Sequence, residues 1–145
     1  MRRSIMLLTL SASLIIGVVL VGGCTGDETQ TVTETQIIEV VTPQEAFNMI
    51  ESNRNNPDFV IIDIRTPEEF TEGYIEGAIN IDYYSATFED ELDSIDKNKM
   101  YLIYCEWGNR SGATLATMEG LKFMEVYDIK SGIEAWLTEG LPVVK

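Results

Sequence analysis

Apolar runs of strand length recur along most of the chain. Phe59–Asp63 and Met100–Tyr104 are apolar almost throughout, which is typical of strands buried on both faces of a parallel sheet. Shorter apolar stretches occur at 37–41, 78–81 and 125–128. The pattern therefore predicts about five strands, two of which are strongly buried.

Helical stretches separate these runs. Thr42-Pro43 and Thr66-Pro67 each place a capping Thr before a Pro and an acidic residue, a common start of a helix, and Gly73 ends the second one. The later helices are predicted at 88–95, 111–121 and 133–137, with a closing turn at 140–143. Strands that alternate with helices predict an α/β fold, in which a central, mostly parallel sheet is flanked by helices.

The first 24 residues follow a different pattern. Arg2 and Arg3 precede a long apolar stretch, and no further charge appears before Asp27. A basic start and an apolar middle are typical of a secretory signal, although the stretch is also long enough for an uncleaved membrane helix. The tetrad that ends at Cys24 (Val-Gly-Gly-Cys) resembles the lipobox of prokaryotic lipoproteins. The resemblance implies cleavage before Cys24 and its modification by a lipid such as palmitate.

These features predict three segments. Residues 1–23 form a signal peptide, and residues 24–36 form a lipidated, acidic, Thr-rich tether that cannot bury enough apolar surface to fold. Residues 37–145 form the folded domain. The expected location is extracytoplasmic, anchored to the cell membrane through Cys24, and an uncleaved N-terminal membrane helix is the alternative.

The charge and composition exclude several functions. The chain has 24 acidic and 10 basic residues, a net charge of −14, and no histidine. Nucleic-acid binding needs a basic surface and is not expected. The absence of histidine excludes Cys-His and Ser-His-Asp catalysis and most zinc sites, and no metal or cofactor is predicted.

The strongest candidate for chemistry is Cys105, which follows the second buried strand. Ligand sites in open α/β sheets lie beyond the carboxyl ends of the strands. Gly108 allows a tight turn, and the N–H groups of the turn and of the following helix form a cradle for an anion. Such a cradle favours a thiolate without a neighbouring base. If Cys24 is lipidated, Cys105 is the only free thiol and no internal disulfide can form.

The loop resembles the active-site loop of single-domain rhodaneses, in which Cys, four residues, Arg and then Ser or Thr recur. Further similarity lies at Asp63-Ile64-Arg65, at 67–81 and at 132–143, so it covers nearly all of 37–145. The resemblance implies a rhodanese-like fold and a sulfurtransferase. Cys105 would take a sulfane sulfur from a donor such as thiosulfate or polysulfide and pass it to a thiol, a cyanide-like acceptor or a protein.

The resemblance also assigns roles to individual residues. Cys105 would be the nucleophile, with Arg110 bracing the loop or facing the donor; the alternative is a surface arginine paired with an acid. Asp63 and Arg65 would support the strand end through charge-assisted bonds. The residues of the loop that would bind the substrate are Glu106, Trp107, Gly108, Asn109, Arg110 and Ser111.

The sequence departs from the common rhodanese pattern at several positions. Glu106 is expected to repel a dianion such as thiosulfate, unless it points to solvent. Trp107 would form an apolar rim for a larger donor or a partner protein. Tyr74 replaces a frequent His and Ser131 a frequent Gly, while Trp136 is expected in the core.

Two other functions stay open at this point. Rhodanese-like domains also serve as non-catalytic docking modules, although these often lack the cysteine. Related phosphatases place five residues between Cys and Arg, whereas this chain has the four residues 106–109. The shorter loop favours sulfur over a phosphate or arsenate oxyanion.

Overall fold

The computed structural model describes residues 35–145; the signal segment, Cys24 and all but the last two residues of the tether lie outside them. Within this range five parallel strands form one sheet in the order β1-β5-β4-β2-β3. The prediction of a parallel sheet of about five strands is confirmed. The strands are β1 (Ile37–Val41), β2 (Phe59–Asp63), β3 (Ala78–Asn80), β4 (Met100–Tyr104) and β5 (Glu125–Ile129).

The first four helices each lie between two successive strands, and α5 follows β5. Thr42 and Thr66 each form a complete capping box, with Glu45 and Glu69 respectively, as their sequences predict. Helix α4 begins two residues earlier than predicted, because Gly108 takes a left-handed conformation as its N-cap and offers no capping side chain in the sequence. The helices are α1 (Pro43–Ser52), α2 (Pro67–Glu72), α3 (Phe88–Ser94), α4 (Asn109–Gly120) and α5 (Gly132–Thr138).

Both faces of the sheet are covered. On one face Ile62 and Ile103 pack with Leu115 and Met118 of α4. On the other face Ile61, Leu102 and Ala46 of α1 pack around Trp136 of α5, which is 1% exposed. The prediction that Trp136 belongs to the core is confirmed, and its indole N–H donates to the carbonyl of Pro142 at 2.9 Å.

The register of the central strands determines where the candidate residues meet. Asp63 at the end of β2 lies opposite Tyr104 at the end of β4. The residues that follow, up to Arg65 on one strand and Cys105 on the other, therefore emerge at the same edge of the sheet. Within residues 35–145 no helix combines the length and the apolar character needed to cross a membrane.

Candidate active site

Cys105 lies at the bottom of a loop that joins β4 to α4. The residue is 1% exposed. Its Sγ accepts a hydrogen bond from the backbone N–H of Gly108 at 3.1 Å and lies 3.5 Å from the hydroxyl of Ser111. These donors, at the N-terminal end of a 12-residue helix, stabilise negative charge on the sulfur.

The conformation of the loop depends on Gly108. Its φ is +89°, in the left-handed region that favours glycine. This turn brings the N–H of Gly108 back to the sulfur three residues earlier and starts α4 at Asn109. The loop therefore encloses Sγ with main-chain and hydroxyl donors.

Helix α5 fixes the loop from the other side. The N–H of Ile133 donates to the carbonyl of Cys105 at 2.8 Å, and that of Glu134 donates to the carbonyl of Glu106 at 3.2 Å. Gly132 permits this approach, because a Cβ there would lie 2.2 Å from the Cys105 oxygen. The sequence shows Gly132 only as a match to the rhodanese pattern and does not reveal this contact.

Arg110 braces the loop against α2. Its guanidinium donates two hydrogen bonds to the carboxylate of Glu69, at 2.8 and 2.7 Å, and lies 5.6 Å from the ring centre of Tyr84. The Arg110 guanidinium lowers the pKa of Glu69 to about 2. Sequence reasoning missed Glu69 and Tyr84 as members of the site, since they lie 41 and 26 residues away in the chain.

Asp63 and Arg65 form a buried ion pair beside the loop. Arg65 Nη2 lies 2.7 Å from Asp63 Oδ2 and also donates to the carbonyl of Gly73 at 2.6 Å. Arg65 Nη1 donates to Glu106 Oε2 at 3.3 Å. This pair therefore ties the end of β2 to the end of α2 and reaches the cysteine loop.

Glu106 points into the site and not to solvent. Its side chain is 26% exposed and contacts Arg65. Desolvation and a hydrogen bond with Glu134 raise the pKa of Glu106, while the hydrogen bond with Arg65 opposes the increase. The carboxylate is thus partly compensated, but it takes up one of the hydrogen-bonding positions of Arg65.

A cavity of about 450 Å³ opens above Cys105. Two aromatic side chains on its rim are largely exposed, Trp107 at 64% and Tyr84 at 69%. The cavity contains more acidic than basic side chains, and the guanidinium that lines it is already paired with Glu69. The lining residues are Thr66, Glu69, Tyr84, Cys105, Glu106, Trp107, Asn109 and Arg110.

The structure brings the predicted loop residues and the Asp63–Arg65 pair together at one edge of the sheet. Asn109 lines the cavity, while Ser111 is fully buried below it. Tyr74 stacks on Phe70 and its backbone pairs with Val144. Over residues 35–145, no cluster of three or more His, Cys, Asp or Glu side chains has the arrangement of a metal site.

Known proteins share this arrangement of sequence and fold. The family described as "Rhodanese-like domain" matches residues 42–139. A Pseudomonas putida protein named thiosulfate sulfurtransferase GlpE is 31% identical over 96 residues, which cover 66% of this chain and 82% of that protein.

Solved structures give the same result. A rhodanese-like domain protein from Staphylococcus aureus is 32% identical, with a TM-score of 0.59 over 74% of this chain and 99% of that one. A rhodanese-related protein from Thermoplasma volcanium is 26% identical, with a TM-score of 0.63 over 73% and 97% of the two chains. With its family match, its parallel sheet and its cysteine loop, this chain belongs to the rhodanese-like family.

Proposed function

We propose that the protein is a sulfurtransferase that carries a sulfane sulfur as a persulfide on Cys105. The observation that supports this most is the environment of Sγ, which accepts the N–H of Gly108 at the start of α4 and lies within reach of the Ser111 hydroxyl. These donors favour a nucleophilic thiolate in a chain that contains no histidine.

The reaction divides into two displacements. The Cys105 thiolate attacks the outer sulfur of a donor R–S–S⁻, a new S–S bond forms, and R–S⁻ leaves with the electron pair of the broken bond. A nucleophilic acceptor then attacks the outer sulfur of the persulfide and restores the thiolate. The loop donors stabilise the negative charge on Sγ before the first displacement and again after the second, when Cys105 is a thiolate.

The charges of the cavity favour a donor of low charge. Arg110 is committed to Glu69, and Arg65 is committed to Asp63 and Glu106. A thiosulfate dianion therefore meets two carboxylates and no unpaired guanidinium among the lining residues. An organic persulfide carries a single negative charge on its reacting group and avoids part of this repulsion, and the aromatic rim offers an apolar surface for its organic part.

Neutralising Glu106 tests this preference. Glu106→Gln or Glu106→Arg should increase kcat/KM for thiosulfate while changing turnover of an organic persulfide less. Glu134→Gln is the matched control, because Glu134 contacts Glu106 without lining the cavity. Equal thiosulfate turnover in the wild type and both Glu106 variants would contradict the role given to this carboxylate.

Persulfide formation tests the function itself. After incubation with thiosulfate, a polysulfide or an organic persulfide, mass spectrometry of the wild type should show one added sulfur atom on Cys105, and Cys105→Ser should show none. If no donor adds sulfur, the result supports a non-catalytic docking module. Hydrolysis of an aryl phosphate without persulfide formation would instead support the phosphate or arsenate alternative.

We further propose that the protein is a lipoprotein anchored outside the cytoplasm through Cys24. This proposal is supported by the apolar stretch and the tetrad that ends at Cys24. Labelled palmitate should be incorporated into the wild type and not into Cys24→Ala. A wild-type protein that is membrane-bound without the label and keeps an intact N-terminus would support the uncleaved helix, and label retained by Cys24→Ala would contradict Cys24 as the lipidated residue.

A further inference from the structure

The cavity above Cys105 contains two pairs that each combine a carboxylate with an aromatic ring. Glu69 and Tyr84 form the first pair, and together they hold Arg110. The guanidinium donates to Glu69 at 2.8 and 2.7 Å, and its carbon lies 5.6 Å from the centre of the Tyr84 ring. A cation in this position gains from the charge-assisted hydrogen bonds and from the aromatic face. The first pair is thus occupied by a cation of the protein itself.

Glu106 and Trp107 form the second pair, and both line the same cavity. The indole of Trp107 is largely exposed. Among residues 35–145, the guanidiniums that lie over aromatic rings face Tyr84 and Tyr104 and not Trp107. The second pair therefore offers an open aromatic surface beside a carboxylate.

The ion pairs around the cavity leave one negative charge in excess. Arg65 contacts two carboxylates, and it lies closer to Asp63, at 2.7 Å, than to Glu106, at 3.3 Å. Arg110 is the partner of Glu69. Two guanidiniums therefore face three carboxylates, and the carboxylate with the weakest compensation is Glu106. Because its side chain is 26% exposed and lines the cavity, Glu106 can accept further hydrogen bonds from a ligand.

The excess of negative charge grows when the active-site sulfur is loaded. An ionised persulfide on Cys105 carries a negative charge, and an acceptor thiol also attacks as its thiolate. The two reacting sulfurs therefore repel each other. A positive group on the acceptor that contacts Glu106 offsets this repulsion and places the acceptor sulfur in the same cavity as Cys105.

We propose, building on the sulfurtransferase function given above, that Glu106 and Trp107 bind an ammonium group and that the sulfur acceptor is a small amino thiol. The acceptor thiolate attacks the outer sulfur of the Cys105 persulfide, and a new S–S bond forms. The Cys105 thiolate leaves with the electron pair of the broken bond, so the product is the persulfide of the amino thiol. The ammonium group only positions the acceptor. A cavity of about 450 Å³ has the size of a small-molecule site.

Three acceptors of similar size separate the effect of charge from that of reactivity. Cysteamine carries an ammonium group, mercaptoethanol a hydroxyl group and mercaptopropionate a carboxylate. The protein is first loaded with sulfur from a polysulfide, and mass spectrometry confirms the persulfide on Cys105. The rate of sulfur loss to each acceptor is then expressed relative to the mercaptoethanol rate of the same protein. The intrinsic reactivity of each thiol cancels when these relative rates are compared between variants at one pH.

Glu106→Gln should lower the relative rate of cysteamine about threefold, as expected for the loss of one screened ion pair, and should raise that of mercaptopropionate. Trp107→Leu keeps every charge and should lower the relative rate of cysteamine by a smaller factor, because the aromatic face is lost. An unchanged relative rate of cysteamine in Glu106→Gln would overturn the proposal. An unchanged relative rate in Trp107→Leu would remove the indole from the subsite.

Glu119→Gln is the matched control for net charge. Glu119 is exposed near the C-terminal end of α4, about 15 Å along the helix from its first residue, Asn109. This variant should keep the wild-type relative rates. A decrease equal to that of Glu106→Gln would mean that the overall charge of the protein selects the acceptor, and would also overturn the subsite.

A second assay tests the subsite without a persulfide. Methanethiosulfonate reagents form a mixed disulfide with a thiolate and release methanesulfinate. Mass spectrometry should show that Cys105 reacts faster with the ammonium-bearing reagent than with the sulfonate-bearing one, and Glu106→Gln should reduce this ratio. If no donor loads Cys105, the proposed function fails while this assay still decides on the subsite. If Cys105 accepts sulfur but neither assay depends on Glu106, the subsite fails and the proposed function stands.

Discussion

Replacing Gly132 with Ala should disrupt the active-site loop from outside it. Gly132 has a φ of +61°, and a Cβ there would lie 2.2 Å from the carbonyl oxygen of Cys105 and 2.6 Å from that of Glu106. Both oxygens belong to backbone, so neither can move aside without moving the loop. The hydrogen bonds from Ile133 and Glu134 to these oxygens would be lost or lengthened.

The cost has three contributions. A left-handed conformation costs a residue with a Cβ about 1–2 kcal/mol. Overpacking against rigid neighbours adds about 1–3 kcal/mol, and each weakened hydrogen bond adds about 1 kcal/mol. Gly132→Ala should therefore lower the free energy of unfolding by at least about 3 kcal/mol.

Gly140→Ala separates the conformational contribution from the contact. Gly140 has a φ of +71°, but an added Cβ would meet no atom within 4 Å. This control should lose only about 1–2 kcal/mol in urea unfolding and keep the wild-type alkylation rate of Cys105. Gly132→Ala should lose more stability and also alkylate more slowly at neutral pH. Equal losses and equal alkylation rates in the two variants would refute the contact between α5 and the loop.

Three further changes test the surroundings of the site by urea unfolding. Glu69→Gln should lower the free energy of unfolding at pH 7 by about 1–2 kcal/mol, after allowance for solvent screening of the Arg110 pair. The pKa of Glu69 is lowered to about 2, so the difference between variant and wild type should shrink as the pH falls from 4.5 to 2. A difference that persists at pH 2 would contradict this explanation. In a Cys105→Ala background, Asp128→Asn should stabilise the fold at pH 7 by about 3 kcal/mol. The reason is that the raised pKa of Asp128 makes its charged form costly above about pH 6. A gain in stability that remains below pH 4 would point to another cause. Ser131→Gly should stabilise by about 1 kcal/mol, because Ser131 has a φ of +59°; unchanged stability would show that this conformation carries no strain.

The elements that the sequence predicted well depend on local patterns. The continuous apolar runs gave the central strands β2 and β4, and the Thr-Pro starts gave α1 and α2 with their capping boxes. The position of Cys105 after a buried strand and the turn at Gly108 were likewise readable, because each depends on only a few neighbouring residues.

The parts of the site that the sequence did not predict depend on distant contacts. The pairing of Arg110 with Glu69 joins residues 41 positions apart, and the approach of Gly132 to Cys105 needs the relative positions of β4 and α5. Asp128 belongs to a short strand, and its sequence neighbours do not reveal that it is buried next to Gly112 of α4. Only the packing of the fold determines these contacts.

The alkylation rate of Cys105 at neutral pH tests the central claim most directly, with the urea-unfolded chain as the internal reference. A small alkylating reagent should react faster with the folded protein than with the unfolded chain, because the N–H of Gly108 and the hydroxyl of Ser111 stabilise negative charge on Sγ. A folded rate at or below the unfolded one would mean that the loop does not activate its sulfur, and would contradict the assignment of Cys105 as a nucleophile.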